Sequence, residues 1–192
     1  MPLVLEVLAA AGTGFPELRQ VAVGVGPGSF TGIRIALATA RGIALAAGLP
    51  VAGVDSFSAV AAALPDALRR GRSLLVAIDS KREAVFGQYY DQDLFPQGEA
   101  LTLAPEALLA RRPPGPLLIA GDAAALLPAP ADARFAEGDQ AVDATSIALL
   151  AAAMGRSAAA SPAMSSGPGG RRARRASGGR VMASPCGERS WS

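Results

Sequence analysis

Apolar residues in the first third of the chain follow two different spacings. Short runs rich in β-branched residues indicate buried strands, and apolar positions repeated every three to four residues indicate helices. Together these spacings predict the order strand, helix, strand, helix, at residues 21–25, 33–47, 51–54 and 56–64. This order is typical of an α/β fold with a parallel sheet.

Shorter elements follow a Pro-, Arg- and Gly-rich stretch at residues 65–72, which marks a boundary between two parts of the chain. Two alternating segments, at residues 73–79 and 84–90, flank a polar turn and predict a hairpin. The other predicted elements are a first helix at 3–11, a helix from Pro105, a strand at 116–119, a helix capped by Asp122, and a last helix that is capped by Asp143 or Thr145 and ends near Gly155.

The composition is that of a chain able to form a hydrophobic core. Apolar residues make up 51% of the 192 residues, and no uninterrupted apolar run reaches the roughly 18 residues that span a bilayer. The first residues lack the pattern of a signal peptide. The single cysteine, Cys186, excludes an internal disulfide framework. We therefore expect a soluble, cytoplasmic protein that does not bind membranes.

The sequence contains no histidine. This absence excludes Ser-His-Asp and Cys-His activation of a nucleophile, and it excludes zinc ligation by histidine. One cysteine cannot assemble a thiolate site, so we expect no metal. Any catalysis would have to depend on carboxylates, lysine or positioned phosphates.

Charge is distributed unevenly along the chain. From Arg156 onward there are seven arginines and one acid, Glu188, so this segment carries +6 and the remainder of the +2 chain carries −4. Few apolar residues interrupt the segment, and we expect residues 156–192 to be a disordered basic tail. Its run of arginines at 171–175 could grip phosphates, which leaves a nucleic-acid binder that acts through the tail as one alternative function.

A glycine-rich turn joins the first predicted strand to the long helix. A strand, a turn and a helix N-terminus in this order aim backbone N–H groups at one point, a geometry that can bind phosphate. The spacing fails the requirements of a P-loop, a dinucleotide fingerprint and a nucleophile elbow. The alternative is a tight turn with Ser29 or Thr31 as N-cap. The candidate phosphate-facing residues are Gly26, Gly28, Ser29, Thr31 and Gly32.

Two stretches of the chain resemble a known family. The segment VGVGPGSFTGIR at residues 23–34 is similar to the signature of the TsaB (YeaZ) family, and AIDSKREAVF at residues 77–86 is similar to that family's hairpin. The resemblance implies the two-lobed fold of actin, Hsp70 and sugar kinases (ASKHA). It places the first lobe at 1–66 and the second lobe at 73–155 of this chain.

The resemblance also implies a function. Members of this family are non-catalytic dimerisation subunits of the bacterial complex that makes threonylcarbamoyladenosine in tRNA. The implied partner is the catalytic subunit TsaD, with the ATPase TsaE joining through the complex and tRNA bound only indirectly. No cofactor is implied for the chain itself, and ATP would sit only at the interface of the complex. TsaD carries a His-x-x-x-His metal motif where this chain has Ser56 and Val60.

Enzymes of the same fold supply the alternative function. An ATP-dependent small-molecule kinase would need a phosphate turn from an earlier hairpin and a catalytic aspartate, and a peptidase would need metal ligands. Family members begin with about forty residues that have no counterpart here, and they end with a Pro-x-Tyr-x-Arg segment that the basic tail replaces. We therefore expect an N-terminally truncated chain with an incomplete first lobe, an aberrant tail and poor stability.

The predicted helix at 33–47 has two apolar faces at 100° per residue. The first, assigned to the sheet, contains Ile33, Ala36, Leu37, Ala40, Ile43, Ala44 and Ala47. Small residues on the second face would let another helix approach closely. With the first helix, it forms the predicted partner-binding surface: Leu5, Leu8, Ile35, Ala38, Thr39, Gly42 and Ala46. The alternative is that the chain's own first helix covers the second face.

Three other polar groups receive structural interpretations. Asp79, with the charged residues at 81–83, is expected to form a solvated hairpin turn rather than an acid–base cluster. Asp55 is expected to cap a helix. The pair Tyr89-Tyr90 is expected to pack on a sheet rather than to stack on a base.

Overall fold

The computed structural model describes residues 2–128, 130–137 and 141–160. The helices are α1 (Pro2–Ala10), α2 (Phe30–Ala47), α3 (Ser56–Ala63), α4 (Asp66–Arg69), α5 (Pro105–Leu109) and α6 (Ala144–Ala160). The strands are β1 (Val21–Gly26), β2 (Val51–Asp55), β3 (Ser73–Asp79), β4 (Val85–Tyr90), β5 (Leu101–Leu103), β6 (Leu117–Ala120) and β7 (Ala133–Phe135). Short 3-10 turns lie at Phe15–Glu17 and Ala124–Leu126.

The predicted strand, helix, strand, helix order is confirmed. Strands β1 and β2 pair in parallel, with Val21 opposite Val51, and α2 connects them. The Ser29 hydroxyl caps α2 by accepting the Gly32 N–H, and Gly48 ends the helix in the left-handed conformation at φ +66°. All seven positions assigned to the sheet-facing side of α2 are buried or half-buried, so the period of 3.6 residues identified this face correctly.

The second sheet has the strand order β5-β4-β3-β6-β7, in which β3 is antiparallel to β4 and parallel to β6. The predicted hairpin is therefore confirmed. Both faces of β3 are covered, because Leu74, Val76 and Ile78 lie in one apolar cluster while Leu75 and Ala77 lie in another. Cover on both faces explains why this strand is apolar at every position from 74 to 78.

Helix α3 lies between the two sheets. Phe57, Val60 and Leu64 pack in the cluster that includes β3 and β6, whereas Ala59 packs with Val54 of β2 and Ala151 of α6. The last helix therefore returns to the first sheet, although its place in the chain had grouped it with the second lobe. After β7 the chain crosses back to the first sheet, so the order of elements in the sequence does not by itself assign α6 to a lobe.

Three expectations about individual elements need correction. Asp122 does not cap a helix: its carboxylate accepts the Asp79 N–H at 2.8 Å, and the 3-10 turn that follows begins after Ala123. Helix α6 continues to Ala160 instead of ending near Gly155, because one glycine costs a helix only about 1 kcal/mol. Residues 156–160, expected in the tail, are therefore helical, and residues 161–192 lie outside the described part of the chain.

Helix α2 is long and apolar enough, by length and composition alone, to cross a membrane. The sequence predicted no membrane-spanning segment, because Arg34 and Arg41 interrupt the apolar residues of this region. One side of α2 packs on β1, where Ala40 and Ala44 are buried. Its other side is exposed and forms the surface described next.

Candidate partner-docking surface

The outer face of α2 is apolar and open to solvent. Ile35 is 62% exposed and Leu45 is 87% exposed, although both are large apolar side chains. Ala38, Gly42 and Ala46 are also exposed, and Thr39 is half-buried. The predicted second face therefore exists as a surface, and α1 leaves these residues open rather than covering them. A surface helix normally turns a polar face to water, so this face is unusual for a lone domain.

Gly42 lies at the centre of this face with empty space in front of it. A Cβ atom built on Gly42 would meet no atom within 4 Å, apart from its chain neighbours and the local helix backbone. The fold therefore does not require glycine at this position for packing. The missing side chain leaves open space at this point of the face.

A groove runs beside Gly42, between α2 and the loop that precedes β1. Its volume is about 700 Å³, and it is lined by Phe15, Pro16, Thr39, Gly42, Ile43, Ala46 and Ala47. We refer to it as the Phe15 groove. Phe15 and Pro16 could not be predicted as lining residues from the sequence, since only the tertiary fold brings their loop against α2. The Phe-Pro-Glu stretch after Gly14 predicts a tight turn, but not what the turn faces.

The loop wall of the Phe15 groove is held by local hydrogen bonds. The Glu17 carboxylate accepts the Thr13 hydroxyl at 2.7 Å and the Gly14 N–H at 2.6 Å. These bonds lower the pKa of Glu17, the Thr13 hydroxyl having the larger effect. At neutral pH Glu17 is ionised, so its carboxylate can accept both hydrogen bonds.

Helix α1 contributes less directly to this surface. Leu5 is 52% exposed and Leu8 is half-buried. Val4 lines a second cavity of about 640 Å³ that extends along β1 to α6 and shares Phe15, Thr39 and Ile43 with the Phe15 groove. The structure thus brings Thr39, Gly42 and Ala46 together in one groove. Their role in binding stays a prediction, as does that of Leu5, Leu8, Ile35 and Ala38.

The glycine-rich turn has the strand–turn–helix geometry predicted for it. Gly26 adopts φ +98°, and a Cβ there would lie 2.8 Å from Ile33 Cδ1, so the tight turn needs a glycine. The Ser29 hydroxyl accepts the Gly32 N–H at 3.3 Å, and the Ser29 carbonyl accepts the Ile33 N–H at 2.9 Å. Thr31 lies inside α2, so Ser29 is the N-cap. Phosphate binding by Gly26, Gly28, Ser29, Thr31 and Gly32 stays a prediction.

The remaining polar candidates have structural roles. Asp79 accepts the Lys81 N–H at 2.6 Å and the Lys81 ammonium at 2.7 Å, which lowers the pKa of Asp79 and raises that of Lys81. Asp55 caps α3 by accepting the Ser58 N–H at 2.8 Å. Tyr89 and Tyr90 are buried in the second sheet, and burial raises the pKa of each to about 12. These three interpretations are confirmed.

The two positions compared with the metal motif of TsaD are enclosed by the fold. Ser56 and Val60 are one turn apart on α3, at 6% and 3% exposure, and Val60 lies in the core against the second sheet. Among the described residues, no three His, Cys, Asp or Glu side chains come together as metal ligands would.

Comparison with known proteins agrees with the resemblance seen in the sequence. A family model described as TsaD, tRNA N6-adenosine threonylcarbamoyltransferase, matches residues 1–116. The tRNA threonylcarbamoyladenosine biosynthesis protein TsaB of Escherichia coli is 37% identical over 95 residues, which are 48% of this chain and 40% of that protein. The protein of the same name from Haemophilus influenzae is 36% identical over 86 residues, 45% of this chain and 36% of its own. The chain thus matches less than half the length of these curated relatives.

Solved structures show the same relationship. The structure of YeaZ from Pseudomonas aeruginosa superimposes with a TM-score of 0.65 at 25% sequence identity, covering 82% of this chain and 76% of that one. These neighbours and the family model indicate the actin/Hsp70/sugar-kinase-like α/β fold. The chain therefore belongs to the family of tRNA threonylcarbamoyladenosine proteins that the TsaD model describes, and within it to the TsaB (YeaZ) group.

Proposed function

We propose that the chain takes part in threonylcarbamoyladenosine biosynthesis as a non-catalytic subunit that binds TsaD through α2, assisted by α1. The observation that carries this proposal is the open, apolar outer face of α2 in a chain of the TsaB group. TsaE and tRNA would join through the complex, and ATP would be held only at its interface.

Burial of this face supplies a physical reason to associate. Covering one large apolar side chain such as Ile35 or Leu45 contributes about 1.5–3 kcal/mol relative to leaving it in water. Both side chains are more than half exposed in the isolated chain. A partner helix can also approach closely at Gly42, because nothing in the fold occupies that space.

Residue chemistry supports the non-catalytic role. The chain has no histidine, and Ser56 and Val60 cannot ligate a metal ion from inside the core. Asp55 is used as a helix cap, and Asp79 is paired with Lys81. These carboxylates therefore have structural partners rather than the free geometry of a general base.

The direct test is complex formation with TsaD encoded in the same genome. We expect the two purified chains to co-elute in gel filtration and the Gly42→Arg variant to elute separately. Arginine is a better helix former than glycine, which costs a helix about 0.8–1 kcal/mol relative to alanine. Gly42 also has open space before it, so thermal unfolding of the variant should occur at the same or a higher temperature.

A matched control is Ala62→Arg, which adds the same charge at an exposed position of α3. This variant should bind TsaD normally. Co-elution of Gly42→Arg with TsaD would contradict the proposed interface, and loss of its helical circular dichroism would mean that the second face of α2 serves folding instead.

A further inference from the structure

We propose that the free edge of β1 accepts an extended apolar segment of a second polypeptide as a third strand of the first sheet. The occupant is a segment of the kind that the YeaZ structure contains outside the part matched by this chain. The third strand goes beyond the proposed function, because it completes a sheet and involves no contact with TsaD. Three features support it: the unpaired backbone of β1, the cavity of about 640 Å³ beside it, and a first helix with no buried residue.

The backbone groups of β1 point alternately toward β2 and away from it. The Val21 N–H donates to the Pro50 carbonyl at 2.9 Å, so the polar groups of Val21 and Val23 face β2. Those of Ala22 and Gly24 therefore face the opposite edge, where the described part of the chain supplies no strand. Such an edge presents a row of N–H and C=O groups that can pair with an added strand.

The cavity beside this edge lies between two helices. It runs along residues 21–24, with Thr39 and Ile43 contributed by α2 and Ala144 and Ala148 contributed by α6. We call it the β1 groove. An added strand lies about 4.8 Å from its neighbour and pairs with its backbone, whereas a helix needs about 8–10 Å and has no free backbone groups to offer along its length. The β1 groove therefore fits an extended chain.

The lining of the β1 groove indicates the composition of the occupant. Apart from Gln20 and Thr39, the side chains that line it are apolar. A strand covered by helices on both faces forms a nearly continuous apolar run instead of an alternating one. Strand β3 of this chain shows the same pattern, because it is apolar from 74 to 78 between two apolar clusters. We therefore expect the occupant to contain an uninterrupted apolar run about as long as β1.

Helix α1 gives an independent indication that a layer can be added here. All of its residues except Glu6 are apolar, yet none is buried. Val4 lines the β1 groove, and Val4 and Leu8 are the half-buried residues of α1, one turn apart on the same side. A strand in the β1 groove would lie against Val4 and give this side of α1 an apolar surface to pack on.

A second copy of the chain does not fit this edge. Helix α2 packs directly on β1, with Ala40 and Ala44 buried. If β1 paired with its counterpart in another copy, helices of both copies would enter the same layer at about the 4.8 Å spacing of the strands. Packed helices need about 8–10 Å between their axes. Pairing of β1 with β1 is therefore excluded, whereas contacts between copies at other surfaces are unaffected.

The solved relative indicates where a suitable segment is found. The YeaZ chain of Pseudomonas aeruginosa is matched over 76% of its length, so part of that fold has no counterpart in this chain. The resemblance in sequence leaves the N-terminal residues of family members unmatched. A synthetic peptide of the unmatched N-terminal residues of this YeaZ chain is therefore the probe, and a scrambled peptide of the same composition is its control.

Hydrogen exchange of single amides tests the edge directly. In the full chain alone, the Ala22 and Gly24 amides should exchange fast, and the Val23 amide, paired with β2, should exchange slowly. With the peptide at about 100 times its Kd, the Ala22 and Gly24 amides should slow by about 100-fold. The scrambled peptide should have no effect. Fast exchange of both amides with peptide bound, or slow exchange that appears only as the concentration of the chain alone is raised, would overturn the inference.

Proline substitution separates the two edges of the first sheet. Ala22→Pro removes an N–H that faces the β1 groove, a position where an edge strand tolerates proline, and should weaken peptide binding by about tenfold with unchanged circular dichroism. The matched control Val51→Pro changes the first residue of β2, whose N–H faces the other edge, and should bind the peptide normally.

Two outcomes of this comparison would refute the third strand. They are equal affinity of the folded Ala22→Pro variant and wild type, and no binding of the peptide to wild type. If Ala22→Pro does not fold, the exchange of the Ala22 and Gly24 amides in wild type decides alone. None of these measurements contains TsaD, so their failure leaves the proposed function standing.

Discussion

Gly121 should tolerate alanine far less well than Gly115, although the two have almost the same φ angle. Gly121 adopts φ +105° directly after β6, and Gly115 adopts φ +103° two residues before this strand. Alanine at either position suffers the strain of left-handed backbone, about 1–2 kcal/mol. The two substitutions differ in what the new Cβ meets.

A Cβ on Gly121 would lie 2.9 Å from the Ala77 carbonyl carbon and 3.1 Å from the Ala77 nitrogen, and closer still to the Ala77 oxygen. A Cβ on Gly115 would meet nothing within 4 Å. Relief of the overlap requires β3 and the segment after β6 to move apart. This movement would break the hydrogen bond from the Ala123 N–H to the Ala77 carbonyl, now 3.2 Å long.

The expected difference follows from these contacts. Overpacking costs about 1–3 kcal/mol, and a buried carbonyl left without a donor costs about 1–3 kcal/mol more. Gly121→Ala should therefore unfold at least about 2 kcal/mol more easily than Gly115→Ala in urea, followed by far-ultraviolet circular dichroism. If Gly121→Ala is already unfolded without urea while Gly115→Ala is folded, the result agrees with the predicted difference in stability. Free energies of unfolding within about 1 kcal/mol of each other would refute the close approach.

Two helix caps give further predictions. Ser29→Ala should destabilise the chain by about 0.5–2 kcal/mol in the same urea assay, since it removes the cap of α2, whereas Thr31→Ala inside the helix should be neutral; equal effects would place the cap elsewhere. Hydrogen bonds from the Ser146 hydroxyl and the Thr145 N–H lower the pKa of Asp143 to about 2, below the roughly 3.9 of an unfolded aspartate. Its stabilising effect should therefore be complete above about pH 4 and lost as pH falls to about 2. Wild type and Asp143→Ala should then converge in thermal stability between pH 4 and pH 2; a constant gap across this range would show that the carboxylate does not titrate as described.

The two faces of α2 could be predicted from sequence because they depend only on helix periodicity. Once α2 forms, its 3.6-residue repeat decides which side chains share a face. All seven positions predicted to face the sheet are buried or half-buried. The hairpin of β3 and β4 was predictable for a similar reason, since alternation and a polar turn are both local signals. Caps such as Asp55 and Ser29 act within four residues and were likewise accessible.

Features formed by distant residues were not predictable in the same way. The Phe15 groove joins a loop to a helix more than twenty residues later, and no local pattern records that contact. Strands β5 and β7 have three residues each, too few for alternation to be recognised. Asp122 has the composition of a helix cap, but its carboxylate is bonded 43 residues away, to the backbone of Asp79. In each case tertiary packing decided between local alternatives.

Under the proposed function, this chain supports tRNA modification by binding TsaD through α2 and performs no chemistry itself. The deciding measurement is the threonylcarbamoyladenosine content of tRNA after incubation with ATP and an activated threonylcarbamoyl donor. TsaD and TsaE are present with wild-type chain, Gly42→Arg or Ala62→Arg, and in a further reaction the wild-type chain is present without them. We expect modification with wild type and with the Ala62→Arg control, and none with Gly42→Arg or with the chain alone. Modification by the chain without TsaD, or undiminished modification with Gly42→Arg, would contradict the proposed function.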